Sequence, residues 1–130
     1  MNLFKHKHRI LHFLKKKDEY SIHSPYMFDL YNKLIKKNRR KPLKLILALE
    51  KEYGKEAIII IPCSYNSFQN IQDKINKNTI ICIENPYESR ETNLEFHKIA
   101  NDPRTHVSVD LFFLGLISQN ENLSPQDYIF

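Results

Sequence analysis

The segment AIIIIPCSYNSF, Ala57 to Phe68, decides how the chain is read. Its isoleucines, Ile58 to Ile61, make a β-branched run of strand length, as expected of a strand covered on both faces. Proline, cysteine and small polar residues follow, and from Ser67 to Ile75 the residues Phe68, Ile71 and Ile75 fall at helical spacing. A strand that turns straight into a helix is the unit of α/β proteins. Where such a unit holds a nucleotide, the turn needs glycine so that main chain can approach a phosphate or an adenosyl group. No glycine stands between Pro62 and Phe68, and the 130 residues hold only two, Gly54 and Gly115.

Downstream, Thr79 to Glu84 (TIICIE) is a second buried-strand run, and Ser89 to Ala100 carries Leu94, Phe96 and Ile99 on a helix ended by Asn101, Asp102 and Pro103. Val107 to Leu111 alternates as a third strand. Only Phe112 and Phe113 separate it from the next, at 114–118, so that pair is an antiparallel hairpin. Asp127 to Phe130 adds a short edge strand. The alternation predicts an α/β fold of about four to five strands, parallel at 57–61, 79–84 and 106–111 with 114–118 inserted antiparallel.

Upstream, three helices are expected. Leu3, Phe4, Ile10, Leu11 and Leu14 share one stripe of the first. The second starts at Ser24-Pro25, a capping hydroxyl followed by proline in the first turn, and presents Tyr26, Met27, Leu30, Tyr31, Leu34 and Ile35 before Pro42 ends it. The third, Leu43 to Tyr53, buries Leu45, Ile46 and Leu49 and stops at Gly54. The whole is one domain, a basic helical lead at 1–53 on a small α/β unit at 54–130, long enough to bury a core.

Charge is uneven. Residues 1–44 hold thirteen Lys/Arg against three Asp/Glu, and residues 45–130 hold seven against twelve, which gives the net +5. The basic third suits nucleic acid, an anionic surface or the chain's own acidic remainder. Lys36, Lys37, Arg39, Arg40 and Lys41 are the candidate anion-binding set, with Lys15 to Lys17 near by and Tyr20, Tyr26 and Tyr31 as candidate stacking rings. No apolar run approaches a membrane span and no small-residue cleavage site follows the basic start. Two cysteines, Cys63 and Cys82, make no disulfide framework and no zinc spacing, so a reducing cytoplasm is expected.

Two segments carry a family resemblance. Ile22-His23-Ser24-Pro25-Tyr26, with Phe28, Asp29, Leu30 and Tyr31, resembles the opening of a family of small bacterial class I S-adenosylmethionine-dependent methyltransferase-like proteins. Asp110-Leu111-Phe112-Phe113-Leu114-Gly115-Leu116 resembles that family's closing hairpin. Between them, Glu84 and Asn85 fall on its acidic pair after the fifth strand, Ser89-Arg90-Glu91 on a helix start, Phe96 on an aromatic and Pro103 on a proline. The likeness spans about residues 8–53 and 79–117. It implies a truncated Rossmann-like methyltransferase sheet, because full-length members have seven strands, a glycine-rich loop after the first and an acidic residue after the second.

Strand 57–61 stands for either the family's first strand or its fourth. In the first case Pro62, Cys63, Ser64 and Tyr65 fill the glycine loop with side chains. In the second the cofactor half of the fold is missing. The fourth is favoured, since Ala57 to Glu84 then forms one crossover into the fifth strand. Either way the expectation is no S-adenosylmethionine binding and no catalytic residue, with the cofactor needed only if the family activity were retained. The residues nearest such a site are Cys63, Ser64, Glu84 and Asn85.

A magnesium site of the catechol-methyltransferase kind would pair Glu84 and Asn85 with a ligand at Pro62 or Cys63, and neither suits a hard cation. Cys63, just before a helix N-terminus, is the one candidate nucleophile, against the commoner fate of a buried thiol. His8 and His12 lie one turn apart, but on a basic face that opposes a metal. Glu84, Glu88, Glu91 and Glu95 form a solvated acidic stripe. The function expected is contact with a second copy or a full-length methyltransferase-like relative; the alternative is binding of nucleic acid or an anionic surface through the basic lead.

Overall fold

β1 runs Ile58–Pro62, one residue past its isoleucines, and β2 Ile80–Glu84 lies parallel to it, with Ile58 opposite Ile80 and Pro62 opposite Glu84. A computed structural model describes residues 2–15, 25–38, 40–123 and 125–130. Lys16, Lys17, Tyr20, the Ile22-His23-Ser24 portion of the opening segment with its expected cap, and Arg39 lie outside them. The fold is α/β, an open, mixed, five-stranded sheet in the order β1-β2-β4-β3-β5, with β3 Val107–Asp110, β4 Leu114–Ser118 and β5 Gln126–Ile129. β4 is antiparallel to both β2 and β3, as its short connection to β3 required, here three residues, Leu111 to Phe113, and β5 is parallel to β3.

β2 shows why the sheet needs helices on both sides. Ile80 and Cys82 join one apolar cluster with Met27, Leu45 and Leu49, while Ile81 and Ile83 join another with Phe68, Phe96 and Ile99. Each fully buried isoleucine contributes about 1.5–3 kcal/mol. The first cluster is closed by α2 Pro25–Leu30, a π-helical turn Tyr31–Ile35 and α4 Pro42–Tyr53; the short α3 Lys36–Asn38 between them buries no side chain. The second is closed by α5 Tyr65–Asn70 and α6 Arg90–Ala100. α1 Leu3–Lys15 is capped by Asn2, whose Oδ1 accepts from Lys5 N at 2.7 Å.

Three expectations change. β1 is an edge strand and only partly covered: among the described residues it pairs with β2 alone, and although Ile58 packs against one cluster and Ile59 and Ile61 against the other, Ile60 is 47% exposed. Pro42 does not end a helix but opens α4, where its missing N–H costs nothing. The helix expected over 67–75 starts at Tyr65, because Ser64 Oγ accepts from Ser67 N, and yields at Ile71 to a 3-10 turn, Gln72–Lys74. There the Gln72 side chain donates to the Phe68 carbonyl and competes with the helical ladder. Gly54, at φ +91°, ends α4 as expected, in a conformation few other residues adopt. No helix among the described residues is long and apolar enough to cross a membrane.

Candidate functional site

In α/β sheets, ligands bind outside the carboxyl ends of the strands. Here those ends are Pro62 of β1, Glu84 of β2 and Asp110 of β3, which all point the same way.

The loop after β1 is closed onto α6. Ser64 N donates to the Pro62 carbonyl at 2.8 Å, Cys63 Sγ donates to the Thr92 carbonyl at 3.2 Å, and Tyr65 N donates to Glu95 Oε1 at 3.2 Å. The Tyr65 hydroxyl reaches on to Asp102 Oδ2 at 2.6 Å. Side chains and hydrogen bonds to a neighbouring helix therefore occupy the level at which a glycine loop would leave open main chain. Burial, followed by the charge of Glu95, pushes the Cys63 thiol up to about 12, so it stays protonated and makes a poor nucleophile at neutral pH. Cys82, inside β2, is also pushed up to about 12, chiefly by burial.

Glu84 and Asn85 are exposed. Asn85 has φ +48° and donates its N–H to the Phe113 carbonyl at 3.3 Å, so its place is a left-handed turn that asparagine tolerates. Among the described residues, no group of three or more His, Cys, Asp or Glu is placed to hold a metal ion. In the acidic stripe, Glu88 pairs with Lys5 at 2.7 Å and Glu95 with Lys98 at 3.1 Å.

Tyr87, not singled out in the sequence, is the centre of a buried polar cluster. Its hydroxyl donates to the buried carboxylate of Asp110, which also accepts from Phe112 N at 2.9 Å. Phe112 has φ +72°, and its ring stacks on Tyr87 at 4.8 Å. Asp110 is thus a hairpin anchor: it satisfies the N–H of a residue held in the left-handed region. Burial and then the Asp110 charge push Tyr87 far above the usual phenol range, so the phenol remains a donor.

α1 lies across this end. Asn2 Nδ2 donates to the Glu88 carbonyl at 2.7 Å, Lys5 and Arg9 stand 5.6 and 5.1 Å from the centre of the Phe113 ring, and His8 lies 5.7 Å from Tyr87. The basic helix docks on the acidic part of the same chain. The anion candidates sit elsewhere: Lys36 and Lys37 are exposed on α3, and Arg40 and Lys41 are exposed in the turn into α4.

Asp102 and Arg104 were also missed. Asp102 is buried and accepts from Arg104 N at 2.9 Å, Nε at 2.8 Å and Nη2 at 3.0 Å, as well as from Tyr65. Arg104, foremost through its hydrogen bonds, holds Asp102 far below the usual carboxylate range. A depressed carboxylate stabilises the fold above its unfolded pKa of about 4, and that contribution is lost as pH falls towards the folded value. Asp102→Asn should lower stability by about 2 kcal/mol at pH 7. In thermal melts the gap to the parent should narrow from pH 6 to pH 3; a constant gap would rule out this role for the charge.

No protein-family model matches the chain, and comparisons with curated proteins and with solved structures find no match.

Proposed function

We propose that the chain is a shortened methyltransferase-like protein that neither binds S-adenosylmethionine nor transfers a methyl group, and that it acts by contact with another protein. The observation that carries this reading is where the sheet stops. β1 pairs with β2, and the antiparallel β4 lies between β2 and β3. This is the arrangement the resemblance implies if Ile58–Pro62 is the family's fourth strand and Ile80–Glu84 its fifth. On that assignment the cofactor half would lie beyond β1, where among the described residues no strand pairs.

The closed loop at 62–65 supports the same conclusion, because it brings Cys63 and Tyr65 onto α6 and leaves no glycine turn for an adenosyl group. The edge itself supports contact with protein. It is a run of isoleucines with no lysine and one terminal proline, and Ile60 is open to solvent, so a strand from a second copy or a full-length relative can add to it. Both cysteines are free, which suits a reducing compartment such as the cytoplasm.

Calorimetric titration of the full chain with S-adenosylmethionine should give no heat of binding, while sedimentation should give a mass above that of one protomer. Micromolar binding of S-adenosylmethionine would overturn the reading, and a strict monomer would remove the self-contact.

A further inference from the structure

The outer face of α4 combines two features that the proposed contact at β1 does not use. By the 3.6-residue turn, Leu43, Lys44, Leu47 and Lys51 fall within about 100° of the helix circumference, opposite the buried Leu45, Ile46 and Leu49. Leu43 is 75% exposed and Leu47 65% exposed, although they are one turn apart on a helix whose other leucines are fully enclosed. Exposed cations stand on the same arc, Lys44 and Lys51, and in the turn that opens the helix, Arg40 and Lys41, with Lys36 and Lys37 exposed on α3 just before that turn. The acidic groups of this helix are Glu50, half-buried on the flank, and Glu52, exposed beyond the arc.

We infer that this face docks on an anionic lipid bilayer: Leu43 and Leu47 enter the headgroup boundary and the flanking cations pair with lipid phosphates. Protruding leucines flanked by lysine on the same arc and by Arg40 and Lys41 at the helix start match both terms of interfacial binding, buried apolar area and attraction to negative headgroups. Nucleic acid fits less well. Of the tyrosines of this stretch, Tyr31 is buried in the core cluster and Tyr26 and Tyr53 are partly buried against it, which makes a poor stacking platform, and exposed leucines do nothing for a phosphate backbone. A second copy on this face would set two cation clusters against each other.

Co-sedimentation of the full chain with vesicles tests the inference. The chain should partition onto phosphatidylcholine vesicles that contain phosphatidylglycerol and not onto phosphatidylcholine alone, and rising salt should weaken it. L43S together with L47S should lower the partition by about tenfold or more at fixed salt. R40E, K41E and K44E should each lower it by about fivefold and flatten the salt dependence. All five positions are exposed, so melting temperatures should stay near the parent's. Absence of partition onto the anionic vesicles overturns the inference, as does a serine variant that partitions like the parent. Retention of duplex DNA without vesicle binding would assign the face to nucleic acid instead. A leucine-dependent doubling of mass without lipid would assign it to a second copy.

Discussion

Gly115→Val should cost about 3 kcal/mol or more and lower the melting temperature by about 10 °C. Gly115 sits in β4 opposite Asp110 of β3 and Ile83 of β2, with the ring of Phe96 directly above it. A Cβ at this position would lie 2.4 Å from Phe96 Cε1 and 3.0 Å from Cζ, inside van der Waals contact. Phe96 is 3% exposed on α6, so its ring has no free space to move into. The glycine is therefore set by the aromatic across from it and not by a turn. A double-mutant cycle separates this from a general dislike of valine in the hairpin. Gly115→Ala with Phe96→Leu should be more stable than the sum of the two single changes by about 1 kcal/mol or more. Strict additivity would show that the ring is not what excludes a side chain.

Asp110→Ala should cost about 3 kcal/mol, because it leaves the Phe112 N–H and the Tyr87 hydroxyl without their carboxylate acceptor in a buried hairpin. Asp110→Asn keeps an acceptor oxygen and should cost about half as much. Tyr87→Phe removes a single donor and should cost about 1–2 kcal/mol. Chemical denaturation of the three variants gives the order directly. If Asp110→Ala were no worse than Tyr87→Phe, Phe112 would be held by something other than that carboxylate.

These two positions explain the Asp-Leu-Phe-Phe-x-Gly segment without a ligand. Asp110 fixes the left-handed Phe112, Phe113 meets α1 through Lys5 and Arg9, and Gly115 admits Phe96. The segment reads from the sequence as a hairpin because two residues cannot join parallel strands. The roles inside it do not, since they depend on Tyr87 and Phe96, which lie 23 and 19 residues from their partners.

The same limit explains the other misses. Tyr65, Asp102 and Arg104 are ordinary surface types whose network exists only because α5 and α6 pack side by side. An aromatic three residues after the predicted strand end at Glu84 was the one available pointer to Tyr87. The strands and the antiparallel hairpin were legible, since β-branched runs and connection lengths allow few alternatives. The neighbours of β2 were not, because no local signal says which strand pairs with which across the sheet. Nor was the exposure of Ile60, because an isoleucine run has the same composition at an edge as in the middle of a sheet. Pro42 was misread because proline both stops and starts helices, and only the turn at Arg40 and Lys41 decides which.

The two borders of the sheet differ in character. β1 presents isoleucines, whereas β5 enters from Pro125 with Gln126 and Asp127, and Asp127 is exposed and bonded to the Ser108 hydroxyl. A polar, charged rim resists further strand addition. Growth seeded on the isoleucine side would thus terminate after one partner joined, yielding a closed pair in place of a fibre.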